Sequence, residues 1–406
     1  YYAGLTASEG FANAAGKITF LGTLWTPTTL YNYALAFSFL VVAFISPMLS
    51  GIADYAGNKK KFLKGFCLLG SLSVMCLFFF TGKETLWVGI VFSILASIGF
   101  WGSIVFYNAY LPEVAFPEQQ DRISAKGFSM GYIGSVILLI FNLAMVMKPD
   151  FFNIVSDENG VAEIKAMKYS FVSVGIWWII FAQYSFYHLP KGYRKEGERS
   201  NVILNGFKEL KNVWHQLGKQ VKLKRYLVAF FVYSMAVQTV MLIATYFGEE
   251  EIAWGTDSER TTGLIISILV IQIVAILGAT VTARASKNYG NIKTLIVVNA
   301  LWVVICIYAY FLITPMDFYI AAGCVGIVMG GIQALSRSTY SKFLPETTDT
   351  TSFFSFYDVA EKIGIIIGTF LYGFVAQFTG SMRNAIIFLG LFFLIGMLLL
   401  TRVKEK

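Results

Sequence analysis

Charge is scarce in this chain. Of 406 residues only 14% are Asp, Glu, Lys or Arg, against about 25% in a typical soluble domain, while 56% are hydrophobic. A water-solvated fold cannot hide that much apolar surface; a lipid-solvated one has no need to. Histidine is reduced to His188 and His215, which have no ligand spacing. The four cysteines, Cys67, Cys76, Cys306 and Cys324, all lie inside apolar runs with no CxxC pair. That excludes a metal or redox centre and leaves them as small packing residues. No N-x-S/T sequon occurs. A nucleotide-binding loop is missing too. The nearest match, GFANAAGKI at 10–18, has one residue too many between its glycines and Ile18 where a magnesium-binding hydroxyl should stand. ATP is therefore not the expected energy source, and no cofactor or metal is expected. A net charge of +8 would suit nucleic acid if it were clustered on a folded domain. Here the basic residues are scattered through short loops, which excludes that partner.

What the chain does have is long apolar runs. Crossing a bilayer as a helix takes about 20 apolar residues, and eleven stretches qualify: Leu30–Ala53, Phe62–Thr81, Leu86–Leu111, Gly127–Met147, Tyr169–Tyr187, Tyr226–Phe247, Thr262–Ala283, Leu295–Thr314, Phe318–Leu335, Phe353–Phe378 and Ala385–Thr401. Positively charged loops stay on the cytoplasmic side. Alternate loops carry 24 and 7 lysines and arginines, with Lys362 inside a span completing the 32. This bias predicts a cytoplasmic C-terminus and an outward Tyr1. The opening segment, residues 1–29, is small, polar and mixed, and reads as the remainder of a longer start.

The basic loop at 189–225 divides five spans from six. Within it Ile203, Phe207, Leu210, Trp214 and Leu217 fall at i, i+4, i+7, i+11 and i+14, an apolar stripe with Lys208, Lys211 and Lys219 off it. The spacing predicts a linker helix lying on the membrane surface. The expected organisation is an N-terminal half over 1–188, a linker over 189–225 and a C-terminal half over 226–406.

The loop after the first span reads SGIADYAGNKKK. It resembles the signature G-x-x-x-D-x-x-G-x-[KR]-[KR] of the major facilitator superfamily, matching at Asp54, Gly57, Lys59 and Lys60, with Ser50 in place of the first glycine. A glycine permits the tight turn, the aspartate can pair with a helix end or a basic side chain, and the lysines hold the loop inside. A degraded copy, ARASKNYGNIK, follows the seventh span; it keeps Gly290 and Lys293 but has Lys287 where the aspartate belongs. Such a copy is expected of two duplicated halves. The superfamily signature follows the second helix, so the resemblance implies a twelve-helix, all-α bundle of two six-helix halves, with its first helix ahead of Tyr1. Four further stretches, FYNAYLPEV (106–114), DRISAKGFSMGYIGS (121–135), GGIQALSRSTYSKFLP (330–345) and FFSFYDVAEKIGIIIG (353–368), resemble the branch of the vacuolar amino-acid effluxer of autophagy, which has many bacterial members.

Ionisable and amide side chains at membrane depth are the candidate site. A mid-span charge costs about 2.5–3.5 kcal/mol on insertion scales, so it faces a cavity or a partner. Asp358, Glu361 and Lys362 share one helical face, Glu361 about 60° to one side of Asp358 and Lys362 about 40° to the other. They read either as a self-neutralised packing cluster or as part of a solute or proton pathway. The branch often has a small residue before the lysine, so Glu361 departs from it. Asn108, Gln238 and Gln333 lie on helices that the resemblance places around a central cavity, though each could instead bridge two helices. Arg337 would bind an anionic group or anchor its helix end to lipid headgroups. Gly127, Gly131, Gly134, Gly364 and Gly368 form small-residue faces for close helix packing.

The expected protein is thus a monomeric, multi-pass secondary transporter of the bacterial inner membrane. It would carry a small polar solute by alternating access around a midplane site, with an amino acid implied by the resemblance alone and proton coupling suggested by carboxylates at membrane depth. The alternatives are a lipid translocase and a non-transporting sensor. An enzyme is not expected, since no nucleophile–base constellation occurs at membrane depth.

Overall fold

In the computed structural model the described residues are 16–156, 161–190 and 202–404. Residues 1–15, including the first six of GFANAAGKI, lie outside them. A short hairpin comes first, β1 (Ile18–Phe20) against β2 (Thr23–Trp25), antiparallel, with Phe20 opposite Thr23. The mixed composition of this segment gave no sign of it. Leu21 and Gly22 form the turn with φ of 51° and 76°, both positive, as a tight hairpin of matching twist requires. Ile18 is buried against Leu30, Phe80 and Leu86.

Eleven helices among the described residues are long and apolar enough to cross a membrane. They are α1 (Pro27–Ala56), α2 (Lys59–Cys76, continued to Phe79), α3 (Leu86–Asn108), α5 (Pro117–Met147), α6 (Ala162–His188), α8 (Val221–Glu251), α9 (Asp257–Tyr289), α10 (Asn291–Tyr310), α11 (Pro315–Phe343), α12 (Thr350–Thr379) and α13 (Met382–Leu400). A four-residue turn, α4 (Leu111–Val114), precedes α5, and α7 (Val202–Lys219) occupies the linker. Lipid leaves a backbone no partner but itself, which is why helices dominate. The side chains on their outer faces are apolar: Phe44, Leu277, Val304, Phe370, Phe378 and Leu398 are all more than half exposed.

Several helices outrun their hydrophobic windows. The apolar stretch Phe318–Leu335 sits inside α11, which continues to Phe343, and Gly127–Met147 sits inside α5, which begins at Pro117. Hydropathy sees only the hydrocarbon crossing; the polar turns beyond it stay helical because caps and side chains satisfy them. Thr314 and Asp317 make a reciprocal capping box at the start of α11, and Thr256 caps α9.

The chain divides into two compact units. The first takes in the chain through Tyr107, then Ile137–Gly206. Here α2 packs on α3 and α6, with Gly70 and Gly99 in direct backbone approach. Cys67 is buried in it. The second comprises Asn108–Val136 and Phe207–Lys406, so α5 runs through both units and α3 gives its final residue to the second. In that unit α9 and α11 form the tightest pair: a Cβ on Gly278 would lie within 2.1 Å of the Ile327 carbonyl oxygen, and one on Gly330 within 2.1 Å of the Ala275 oxygen. The expected packing glycines fare unevenly. Gly368 does lie against Thr239 and Met235, Gly364 is in ordinary contact at 3.5 Å, and Gly131 meets nothing within 4 Å. Trp302 stacks on Phe393 with Cys306 buried nearby.

The linker stripe is rotated from its expected place. Gly206, Val213 and Leu217 are the buried residues of α7, whereas Phe207 and Trp214 are 41% and 59% exposed. The side chain of Ile203 lies outside the described residues. At 100° per residue the packed line lies about 60° from the stripe centre. Val213, absent from the stripe, takes the core, while Trp214 lies at the edge with its ring 5.4 Å from Phe356.

Candidate functional site

The turn after α1 is built as its residues dictate. Gly57 adopts the left-handed conformation, φ 59°, and its N–H and that of Asn58 close on the Ala53 and Asp54 carbonyls. This is a glycine helix stop. Asp54 and Lys59 are buried, at 8% and 5% exposure. Lys60 Nζ donates to the Leu189 carbonyl at 2.7 Å, where α6 ends. A lysine at a helix C-terminus meets the negative end of its dipole.

In the second unit the charges of α12 converge. Lys362, fully buried, lies 2.9 Å from Asp358 Oδ1 and 2.8 Å from Glu361 Oε2. Asp358 is 1% exposed; its contact with Lys362 is an ion pair by distance but off the hydrogen-bonding direction. Neither of its oxygens accepts a hydrogen bond from the described residues. Glu361 is the accessible member at 16%, and its other oxygen accepts from Gln238 Nε2 on α8 at 2.7 Å. The helices meet there because Gly364 and Gly368, on the same edge as Glu361, admit Met235 and Thr239 of α8. Two carboxylates and one ammonium thus form a dry cluster of net negative charge with one polar edge. Such a group can bind a cationic centre, or hold and release a proton.

A second constellation lies on α11. Arg337 donates from Nε to Ser124 Oγ (3.0 Å), from Nη2 to the Ser124 carbonyl (3.1 Å) and from Nη1 to Asn108 Oδ1 (3.2 Å); its guanidinium sits 4.6 Å from the Phe128 ring centre. At 5% exposure it does not reach lipid headgroups, so the anchoring reading is set aside. One turn earlier Gln333 accepts from the Tyr132 hydroxyl at 2.7 Å, with its amide 3.3 Å from Met241 Sδ. Below it the Tyr233 hydroxyl lies 2.7 Å from Ser336 Oγ and 3.2 Å from that of Tyr226, which donates to the Ser336 carbonyl at 2.9 Å.

The expected residues therefore fall into pairs and clusters: Asp358, Glu361 and Lys362 with Gln238, Asn108 with Arg337, and Gln333 with Tyr132. Sequence reasoning missed Ser124, Tyr132, Tyr226 and Tyr233. Serine and tyrosine are common in spans, and no spacing marks one as polar glue. Among the described residues no group of three or more His, Cys, Asp or Glu is placed to hold a metal.

Known proteins share the family and the fold of this chain. Residues 11–406 match the family described as Vacuole effluxer Atg22 like. The MFS-type transporter YxiO of Bacillus subtilis (strain 168) is 32% identical over 400 residues, covering 98% of this chain and 88% of YxiO. Autophagy-related protein 22 of Pichia angusta is 23% identical, covering 90% and 73%. Among solved structures, the transporter FucP in its outward conformation superposes with a TM-score of 0.71 at 14% identity, covering 97% of this chain and 92% of FucP. The proton:xylose symporter XylE gives 0.68 at 13%, covering 93% and 87%. These relatives and neighbours are transporters and not enzymes. The chain belongs to the Vacuole effluxer Atg22 like family, and is a multi-pass membrane transporter of the major facilitator type.

Proposed function

We propose that the protein is a proton-coupled secondary transporter of a small polar solute, an amino acid or a close chemical relative, working by alternating access in a bacterial cytoplasmic membrane. The observation that carries the reading is the buried cluster of Asp358, Glu361 and Lys362 with Gln238 on α8. Charge at membrane depth is costly and serves ions and substrates, and this cluster has one accessible carboxylate and one dry one. Glu361 and Gln238 would meet the solute's ammonium and its polar groups, while Asp358 would exchange a proton with Lys362 as its counter-charge. Arg337, held by Asn108 and Ser124, would favour an anionic group such as a carboxylate. The names of relatives support the class, since Atg22 is described as a vacuole effluxer.

The test is flux in proteoliposomes with a panel of radiolabelled amino acids, with and without an imposed pH gradient. Gradient-dependent flux of at least one amino acid is expected. The double variant Asp358→Asn/Lys362→Met should fold yet lose most of that flux or its pH dependence. Full, pH-dependent flux in the double variant would make the cluster mere packing, and lipid scrambling without amino-acid flux would favour a lipid translocase.

A further inference from the structure

The second signature-like loop lacks its aspartate, and the structure brings one to it from elsewhere. Asp121, in the first turns of α5, is 7% exposed. Its Oδ2 accepts from Ser286 Oγ at 2.9 Å and from Lys342 Nζ at 2.6 Å; its Oδ1 accepts from Asn291 Nδ2 at 2.9 Å. Ser286 and Asn291 flank Gly290, so they belong to the loop in which Lys287 replaces the acid. Asn291 also donates to Thr339 Oγ1 (2.9 Å) and accepts from Lys342 (3.1 Å). One carboxylate thereby ties together the start of α5, the end of α9, the start of α10 and the end of α11.

The cluster is the end of a longer seam. Residues 121, 124, 125, 128 and 132 form one helical stripe on α5. Ser124 holds Arg337 and donates to the Ala334 carbonyl at 2.6 Å, Ala125 packs with Ala279 and Ala334, Phe128 underlies Arg337, and Tyr132 reaches Gln333. Small alanines and hydrogen bonds dominate the contact. Such a seam can part without exposing much apolar surface, because water replaces most of what is lost. The stripe accounts for residues 108–136 packing within the second unit, although the sequence groups them with the first set of spans.

We propose that Asp121 supplies the acid missing from the second loop, making Asp121, Ser286, Asn291 and Lys342 a latch that closes the cytoplasmic ends of these four helices and opens for solute to pass. The inference rests on the transporter reading for its purpose, but its test needs no solute. In a background with Cys67, Cys76, Cys306 and Cys324 replaced by serine or alanine, Ala279→Cys serves as a reporter beneath the latch. A membrane-impermeant maleimide is added to the cytoplasmic face of inside-out vesicles. The reporter should label slowly, and Asp121→Asn should speed labelling about tenfold or more, because it removes charge-assisted hydrogen bonds. Asp121→Glu should restore slow labelling, and a control cysteine at Thr23 should keep its rate when probed from the outer face. Should Asp121→Asn fail to fold, Lys342→Met, whose side chain is 22% exposed, serves in its place with the same expected direction. An unchanged reporter rate in a folded variant overturns the latch. Faster labelling without gradient-dependent flux of any amino acid would uphold the latch and defeat the proposed substrate and coupling. Faster labelling at Thr23 as well would show general loosening and also overturn it.

Discussion

Removing Lys362 should harm the fold more than removing Asp358, and the geometry says why. Lys362→Met strands two carboxylates that it holds at 2.9 and 2.8 Å, one of them 1% exposed. Breaking a buried pair by deleting one partner costs about 3–5 kcal/mol. Asp358→Asn leaves Lys362 with Glu361 at 2.8 Å, so no buried charge is stranded and its cost falls below that range. The double variant removes both charges of the driest pair and leaves Glu361 with its Gln238 bond, so it should recover much of what Lys362→Met loses. Thermal unfolding of purified protein in detergent micelles, followed by intrinsic fluorescence at fixed pH, ranks the four proteins. The expected order of midpoints is wild type first and Lys362→Met last, with the double variant above Lys362→Met. A midpoint for Asp358→Asn at or below that of Lys362→Met would refute the reasoning, as would a double variant no better than Lys362→Met.

Two further outcomes follow from backbone and topology. Gly278→Ala should lower the unfolding midpoint clearly while Gly131→Ala leaves it nearly unchanged or slightly raised, since the first Cβ would lie 2.1 Å from a backbone oxygen and the second meets open space; equal effects would contradict the close α9–α11 approach. Cysteines at Leu21 and Gln216 should react with an impermeant maleimide from opposite faces of the membrane, as the 24-to-7 loop asymmetry requires, and labelling of both from one face would overturn the orientation.

Hydropathy made the eleven spans legible because lipid selects for apolar side chains over a fixed length. Where α11 ends was not legible, since Ser336 to Ser341 look like loop to a hydrophobicity window yet are buried among polar partners. The Asp358–Lys362 pair could be read from i, i+4 spacing alone. The bonds from Gln238 to Glu361 and from Arg337 to Asn108 could not, because they join residues 123 and 229 positions apart. Asp121 was visible as a residue of a conspicuous stretch but assigned to a loop, and only the helical stripe of α5 gives its contacts a direction. The α7 stripe failed for a different reason: periodicity marks an apolar face but not which part of it finds a partner, and Val213 found one where Trp214 stayed at the edge.

The buried thiols give the molecule two internal clocks. Cys67 lies in the first compact unit at 8% exposure and Cys306 in the second at 2%, and neither is in a disulfide. Each can be alkylated only when its own surroundings open, so the rate at each site under mild denaturant measures the local opening free energy of that unit. One helix, α5, belongs to both units. If it makes them a single cooperative structure, the two thiols will lose protection at one common rate, with the same denaturant dependence. If the units melt separately, two rates will emerge from one sample, and a substitution at Lys362 will accelerate only that of Cys306.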